Sequence, residues 1–358
     1  MTTTEQVAAP PEGRLRRALD VVDDRLGVKA LQYPVPEHAN TLGWSLGGLT
    51  AAALFVLIIT GIVLGQFYNP TPEAANGSVR EIVTGVWAGQ FLRGVHYWAA
   101  QAMYVLVVLH LLRVFLTGSY KRPREANWLV GVALFALVIG AIFTGTVLKW
   151  DQEGFEALTH NLEIGRFLGG AGFWFSDEFA AGVPLLVRLY IAHVAVIPGL
   201  LIGLFALHGM LIKRHAISSK PSAEDPTALD VAQEEKGPFT HHLRRIGAFA
   251  LILFAAVGAL AVLLPPGVGP PPVEGIEVTR PLWMFWWYLQ MERRWGAGAI
   301  LWSAGALIAL LAVVPFVDRT PNRWWRSRPV AMLALVLVLG GVIVLTVITA
   351  LTPQAAHL

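Results

Sequence analysis

Four histidines stand in two matched pairs: His96 and His110 are 14 residues apart, His193 and His208 are 15 apart. In an α-helix these spacings separate paired side chains by roughly 21–23 Å and keep them within about 40–60° of one face. Two such helices running in the same direction would bring His96 to His193 in one layer and His110 to His208 in another. Each layer is then a pair of neutral imidazoles on opposite sides of a gap. Such a pair suits a flat macrocycle whose iron takes nitrogen at both axial positions, a bis-histidine haem. Zinc would require more ligands, and no Cys, Asp or Glu lies at the same depth. A lone intramembrane histidine is equally well explained by a structural hydrogen bond or, in a transporter, by a proton relay. Two matched layers are much harder to explain that way.

Glycines repeat the same interval. Gly47 and Gly61 are 14 residues apart, and so are Gly131 and Gly145. A macrocycle edge pressed against a helix backbone requires a residue without a side chain. Small-residue helix packing accounts for any single glycine in a membrane. Four coincident spacings argue instead for two stacked haems inside a four-helix bundle.

The elements that must carry these residues are membrane spans. Of 358 residues 55% are hydrophobic and 14% charged, whereas a soluble domain is about a quarter charged. Uncharged runs cover 41–72, 126–148, 246–273, 295–317 and 329–356, each long enough for the roughly 20 residues that cross a bilayer. Two further runs, 94–112 and 189–212, carry the histidines. The expectation is an all-α integral membrane protein of seven transmembrane helices, which excludes a soluble enzyme. With no cysteine, disulfides, thiolate metal sites and thioether-linked haem are excluded as well. The net charge of +3 comes from basic residues at membrane edges, so nucleic acid is not an expected partner.

The charge distribution also suggests an orientation. The first 30 residues carry Arg14, Arg16, Arg17, Arg25 and Lys29 without an apolar stretch, unlike a signal peptide. The N-terminus and the loops after helices two, four and six hold 18 of the 27 Lys and Arg, and the opposite loops hold 8. The positive-inside rule then puts the N-terminus in the cytoplasm and the C-terminus outside the cell (plasma) membrane. The expected organisation is a cytoplasmic segment 1–40, a dihaem four-helix bundle 41–213, a cytoplasmic linker 214–245 and a three-helix domain 246–358. The linker contains Pro221, Pro226 and Glu234-Glu235-Lys236. The loop after helix five contains Pro265-Pro266 and Pro270-Pro271-Pro272, then Trp283-Met284-Phe285-Trp286-Trp287-Tyr288. This aromatic segment reads as an interfacial belt or as the wall of a quinone site.

Several local motifs are specific. They include Ser45-Leu46-Gly47-Gly48, Arg93-Gly94-Val95-His96, His110-Leu111-Leu112-Arg113 and Lys121-Arg122-Pro123-Arg124-Glu125. Trp150-Asp151-Gln152, Arg188 five residues before His193, Pro315-Phe316-Val317 and Arg328-Pro329-Val330-Ala331 follow. Over about residues 28–352 the chain resembles the cytochrome b of quinol–cytochrome c reductase complexes. It is most similar to the photosynthetic type, here fused to a subunit IV-like half. The resemblance implies two haem b groups, the outer on His96 and His193, the inner on His110 and His208. Arg93, Arg113 and Arg188 match positions near haem propionates. It further implies quinone as substrate, and a Rieske-type iron–sulfur protein and a c-type cytochrome as partners in a homodimeric complex. The chain would be the electron-transfer subunit of that quinol oxidoreductase, not a complete enzyme alone.

The family pattern is broken in three places. Ser45 stands where the photosynthetic type has a cysteine for an extra haem. Leu148-Lys149-Trp150 replaces Leu-Pro-Trp. Pro281-Leu282-Trp283-Met284 replaces the Pro-Glu-Trp-Tyr motif, whose glutamate accepts a quinol proton. Asp151 and Glu292 are the candidate substitutes, with Asp151 preferred for its place in a well-matched motif. Leu282 also keeps an alternative open, a cytochrome b membrane arm linking a dehydrogenase or hydrogenase module to quinone without bifurcation.

Overall fold

The apolar runs fold as helices because a bilayer offers backbone groups no water, so each span must satisfy its own hydrogen bonds. A computed structural model describes residues 14–27, 32–228 and 235–353. Residues 1–13 and 28–31 of the proposed cytoplasmic segment, Lys29 included, and residues 229–234 of the linker, Glu234 included, lie outside the described residues. Helices α1 (Arg14–Leu26), α2 (Leu42–Gly65), α3 (Ala75–Thr84), α4 (Gly89–Leu116), α5 (Glu125–Leu148) and α6 (Gln152–Phe167) come first. They are followed by α7 (Leu185–His215), then α8 (Phe239–Leu263), α9 (Trp286–Trp295), α10 (Gly298–Val317) and α11 (Pro329–Leu351). Seven of them, α2, α4, α5, α7, α8, α10 and α11, are long and apolar enough to cross a membrane.

Helix α2 packs on α4 and α5 on α7, with α4 against α5 closing the bundle. The middle of the bundle is filled by Ala53, Leu57, Met103, Val138 and Leu201. These positions lie near the midpoints of the four 14- and 15-residue intervals, so apolar side chains separate the two histidine layers. Outward faces are apolar too. Val330, Val336 and Leu337 on α11 are exposed, as expected of a surface solvated by lipid.

The two halves of the sequence share this core. Val257 of α8 and Met284 join the same buried cluster. A side chain at Gly94 would put its Cβ 2.9 Å from the Cβ of Ala261, so glycine permits the close approach of α4 to α8. At the His110 end a polar knot joins the α4–α5 turn to the α10–α11 turn. Asp318 accepts from Lys121 Nζ (2.6 Å) and from the Tyr120 hydroxyl (2.5 Å). Arg328 donates to Tyr120 and to the carbonyls of Phe115 and Leu116.

Candidate functional site

The four histidines meet in two layers, as their spacing requires. The ring centroids of His96 and His193 are 6.3 Å apart, and those of His110 and His208 are 6.4 Å apart. An imidazole nitrogen about 2 Å from a central ion on either side, plus the step from nitrogen to ring centre, requires a separation of about 6 Å. The residues therefore fit an axially ligated iron. Each glycine singled out by its interval faces one of these rings. A Cβ at Gly47 would lie 2.9 Å from His110 Cε1, and one at Gly145 2.9 Å from His193 Cε1. At Gly61 and Gly131 the distances to His96 and His208 would be 3.3 and 3.6 Å.

The His96 layer has its orientation fixed from behind. The Thr60 and Thr144 hydroxyls donate to the carbonyls of Val56 and Gly140, so their oxygens are free to accept. His96 Nδ1 lies 2.9 Å from Thr60 Oγ1, and His193 Nδ1 lies 2.9 Å from Thr144 Oγ1. With Nδ1 donating, Nε2 keeps its lone pair and points away from the threonine, the tautomer a metal ligand needs. Thr60-Gly61 and Thr144-Gly145 thus act as units, one residue orienting the imidazole and the next leaving room beside it.

The unequal interval has a local cause that spacing alone did not reveal. Residues Ala192–Val196 form a π turn, and the Ile197 N–H bonds to the Ala192 carbonyl. A π turn accommodates one extra residue. In a regular α-helix, 14 residues rotate to about −40° and 15 to about +60°. Absorbing one residue brings His193 and His208 into the relation that His96 and His110 have with 14. Pro198, with no N–H to give to the Val194 carbonyl, is the sequence signal.

The arginines lie beside the layers. Arg113 stacks 4.5 Å over Trp44 and has a buried Nε without a hydrogen-bond partner. Arg188 donates to the carbonyls of Trp174 and Ser176, and its Nε is also buried and unpaired. Arg93 donates to the carbonyls of Pro266 and Gly267. Ser45, at the position of the family's cysteine, is buried and donates to the Thr41 carbonyl.

A cavity of about 1130 Å³ opens among α5, α6, α9 and α10, on the side of the molecule nearer the His96 layer. Phe143, His160, Phe285, Tyr288 and Glu292 contribute to its wall. The aromatic segment therefore divides its tasks. Phe285 and Tyr288 face the cavity, whereas Trp283 donates to Gln101 Oε1 (2.8 Å) inside the bundle. Leu282 packs against the apolar core and is not among the residues that line the cavity.

The two candidate proton acceptors separate here. Asp151 caps α6 by accepting from Gly154 N–H (3.0 Å), and its other oxygen accepts from Gly269 N–H (3.0 Å). Lys149 lies 3.4 Å away. Asp151 is a buried pin between α6 and the proline-rich loop, and the cavity wall does not include it. Glu292 does line the cavity, so the two candidates drawn from sequence stand in different places. Its Oε1 lies 2.9 Å from Nδ1 of His160, a residue that motif reading passed over. The signal was available: Glu153, Glu156, His160 and Glu163 recur at helical intervals on one face of α6.

Comparison with known proteins agrees with this architecture. Residues 101–271 match the cytochrome b (N-terminal)/b6/petB family, and residues 9–127 the prokaryotic cytochrome b561 family. Cytochrome b6 of Heliobacterium mobile is 39% identical over 191 residues, which is 52% of this chain and 90% of that protein. The cytochrome b subunit of a cytochrome bc complex from Chlorobaculum thiosulfatiphilum is 31% identical over 333 residues, 87% of this chain and 74% of that one. A chain of a hyperthermophilic respiratory Complex III shares the fold with a TM-score of 0.80, covering 94% of this chain and 92% of its own at 23% identity. A seven-span bundle, two facing imidazole pairs and relatives that cover both halves converge on one assignment: the chain belongs to the cytochrome b family of the b6 and bc type, as an integral-membrane, haem b electron-transfer subunit.

Proposed function

We propose that the chain holds two b haems, one between His96 and His193 and one between His110 and His208, and passes electrons across the bilayer between them and the quinone pool. The observation that carries this reading is the pair of imidazole layers at 6.3 and 6.4 Å. When bound, haem iron supplies reversible one-electron transfer. The protein's part is positional: Thr60 and Thr144 orient two of the ligands, and Gly47, Gly61, Gly131 and Gly145 leave room beside all four. Arg113 and Arg188, each with an unpaired buried Nε, are suited to anionic propionates, and Arg93 stands at the same end as the His96 layer.

The basic-residue asymmetry supports a cytoplasmic N-terminus in the plasma membrane, with His96 and His193 nearer the outside. The cavity beside α6 then opens to the outer half as a quinol pocket. We assign the expected Rieske-type iron–sulfur protein, c-type cytochrome and second copy of this chain as partners on the strength of the family resemblance, and the relatives named as subunits of cytochrome bc and menaquinol:cytochrome c reductase complexes support a multisubunit setting. Within this reading residues 41–213 serve as the dihaem unit and 246–358 as the subunit IV-like unit. A membrane arm for a dehydrogenase or hydrogenase is the second reading, favoured by Leu282 and by the cytochrome b561 match.

Ligand replacement tests the assignment. His110→Ala and His208→Ala are expected to remove one haem and leave the spectrum of the His96 layer largely in place. Two haems surviving either change would show that the ligands lie elsewhere. With no cysteine in the chain, a denaturing gel stained for haem should be blank at its mass.

A further inference from the structure

We propose that His160 accepts the proton released when quinol is oxidised in the cavity between α6 and α9, with Glu292 as its positioning residue. The proposal rests on reading the cavity as the quinol pocket, and it names the base that Leu282 cannot supply.

The other groups nearby are already engaged. Glu156 accepts from Val278 N–H (2.9 Å), Thr279 N–H (3.0 Å), the Thr279 hydroxyl and Gln152 Nε2 (3.0 Å). Removing it from that work would release the loop that closes the pocket. Glu153 is paired with Lys149 at 2.5 Å. Asp151 spends both oxygens on backbone N–H groups. His160 is the one imidazole among the residues lining the cavity, and carboxylates from its own helix, the loop and α9 surround it, while α5 and α10 add only apolar and uncharged side chains to the wall. Glu163 follows on α6, Glu277 comes from the loop and Glu292 from α9, with Arg293 the nearby cation on the wall. Single ligand-type atoms of His160, Glu163 and Glu292 lie within 4.8 Å of one another.

The two ring nitrogens have different surroundings. Nδ1 lies 2.9 Å from Glu292 Oε1, although off the axis of an aligned hydrogen bond. Such contacts in unliganded sites tighten when substrate arrives. Nε2 lies 3.9 Å from Glu277 Oε1, whose side chain is half exposed. A proton taken by the ring therefore has a carboxylate to stabilise it on one side and a route towards water on the other. The Glu292 carboxylate beside Nδ1 raises the imidazole's pKa, burial opposes this, and Glu277 and Glu163 add to the rise. The ring thus binds a proton more firmly than an ordinary histidine.

The step balances as follows. A quinol O–H bond breaks, its electron pair stays on the oxygen, and an N–H bond forms on His160. The two electrons would be taken singly by one-electron acceptors, the haem that His96 and His193 would hold and an iron–sulfur centre in a partner subunit. His160 passes the first proton to the carboxylates and water before taking the second.

The test uses the intact complex and a short-chain quinol. Haem reduction is followed by stopped flow as a function of pH, and infrared difference spectra are recorded on quinol oxidation. In the parent the rate should rise with pH through a limb above the ordinary histidine range, as the base form is needed, and an imidazole-protonation band should appear. His160→Gln should slow the reduction about a hundredfold, abolish the limb and remove the band. It should leave haem content unchanged. Glu292→Gln should move the limb to lower pH with a smaller loss of rate. The proposal is overturned if both variants keep the parental rate and limb, or if Glu292→Gln abolishes the limb while His160→Gln retains it. In both cases the quinol-pocket reading stands. A parent complex that oxidises no quinol overturns that reading, and the proposal with it.

Discussion

Adding a single methyl group at Gly145 should cost the His96 layer its haem more readily than the same change at Gly131 costs the other layer. The new Cβ at 145 would sit 2.9 Å from His193 Cε1, well inside ordinary contact, whereas at 131 it would sit 3.6 Å from His208 Cε1. The His193 ring has little freedom to retreat, since Nδ1 is held 2.9 Å from Thr144 Oγ1 on the residue next to the glycine. Either the bond to Thr144 breaks or the backbone of α5 moves. Overpacking of this kind costs about 1–3 kcal/mol, and each 1.4 kcal/mol is about tenfold, so haem at that layer should be held about five- to a hundredfold less tightly. The gain in helix propensity from glycine to alanine, about 1 kcal/mol, applies to both positions and cancels in the comparison. Haem-to-protein ratio after detergent washing, with a reduced-minus-oxidised spectrum to identify the remaining centre, measures the difference. If Gly131→Ala loses haem while Gly145→Ala keeps both, the orientation of these helices towards the imidazoles is wrong.

Two further perturbations follow from the hydrogen-bond pattern. Thr144→Val keeps the shape but removes the acceptor for His193 Nδ1. Loss of such a supporting bond typically weakens a metal site about 10- to 100-fold, so a redox titration should show the midpoint of that one haem displaced and the other unmoved. Asp318→Asn breaks the knot that ties the α4–α5 turn to α10–α11, where the Lys121 and Arg328 partners are buried. Leaving those charges unpaired should cost about 3–5 kcal/mol, visible as a lower thermal midpoint. Burial pushes the Asp318 carboxyl up, but bonds from Lys121, Tyr120 and Arg328 outweigh it and hold the group below its ordinary value. Its contribution is therefore present above the unfolded carboxylate pKa and is lost as pH falls through the depressed folded value. The Asn variant should lose that portion of the acid-unfolding profile.

The parts of this molecule legible in sequence are those written as intervals along one helix. His96 and His110, and the glycines facing them, repeat at a spacing that geometry converts directly into layers. The π turn at Ala192–Val196 escaped because a 15-residue interval is compatible with a regular helix viewed alone; only the facing partner on α4 shows that one residue must be absorbed. Asp151 looked functional because it stands in a conspicuous motif, yet it begins a helix, and an aspartate there accepts from the first-turn N–H groups. His160 and Glu292 are 132 positions apart, and no local pattern links them. Only the packing of α10 against α5 and α6, with α9 beside it, brings the α6 face and α9 to one cavity.

Helix α5 determines how these sites relate. Thr144 and Gly145 meet His193, while Ile139, Phe143 and Thr146 face the cavity. Gly145 and Phe143 are two residues apart, about 200° around an α-helix, so histidine and cavity lie on opposite sides of one helix. If quinol is oxidised in the cavity as proposed, an electron bound for the His96 layer would cross that helix, which tunnelling permits. On the reading proposed above, a proton would find no such path through α5, since the helix's bundle-side residues Val138 and Ile142 are buried and apolar. Its available exit is the opposite wall, where His160, Glu292 and the half-exposed Glu277 lie. On that reading the same 3.6-residue period that makes α5 a membrane span would separate the electron and the proton of quinol oxidation.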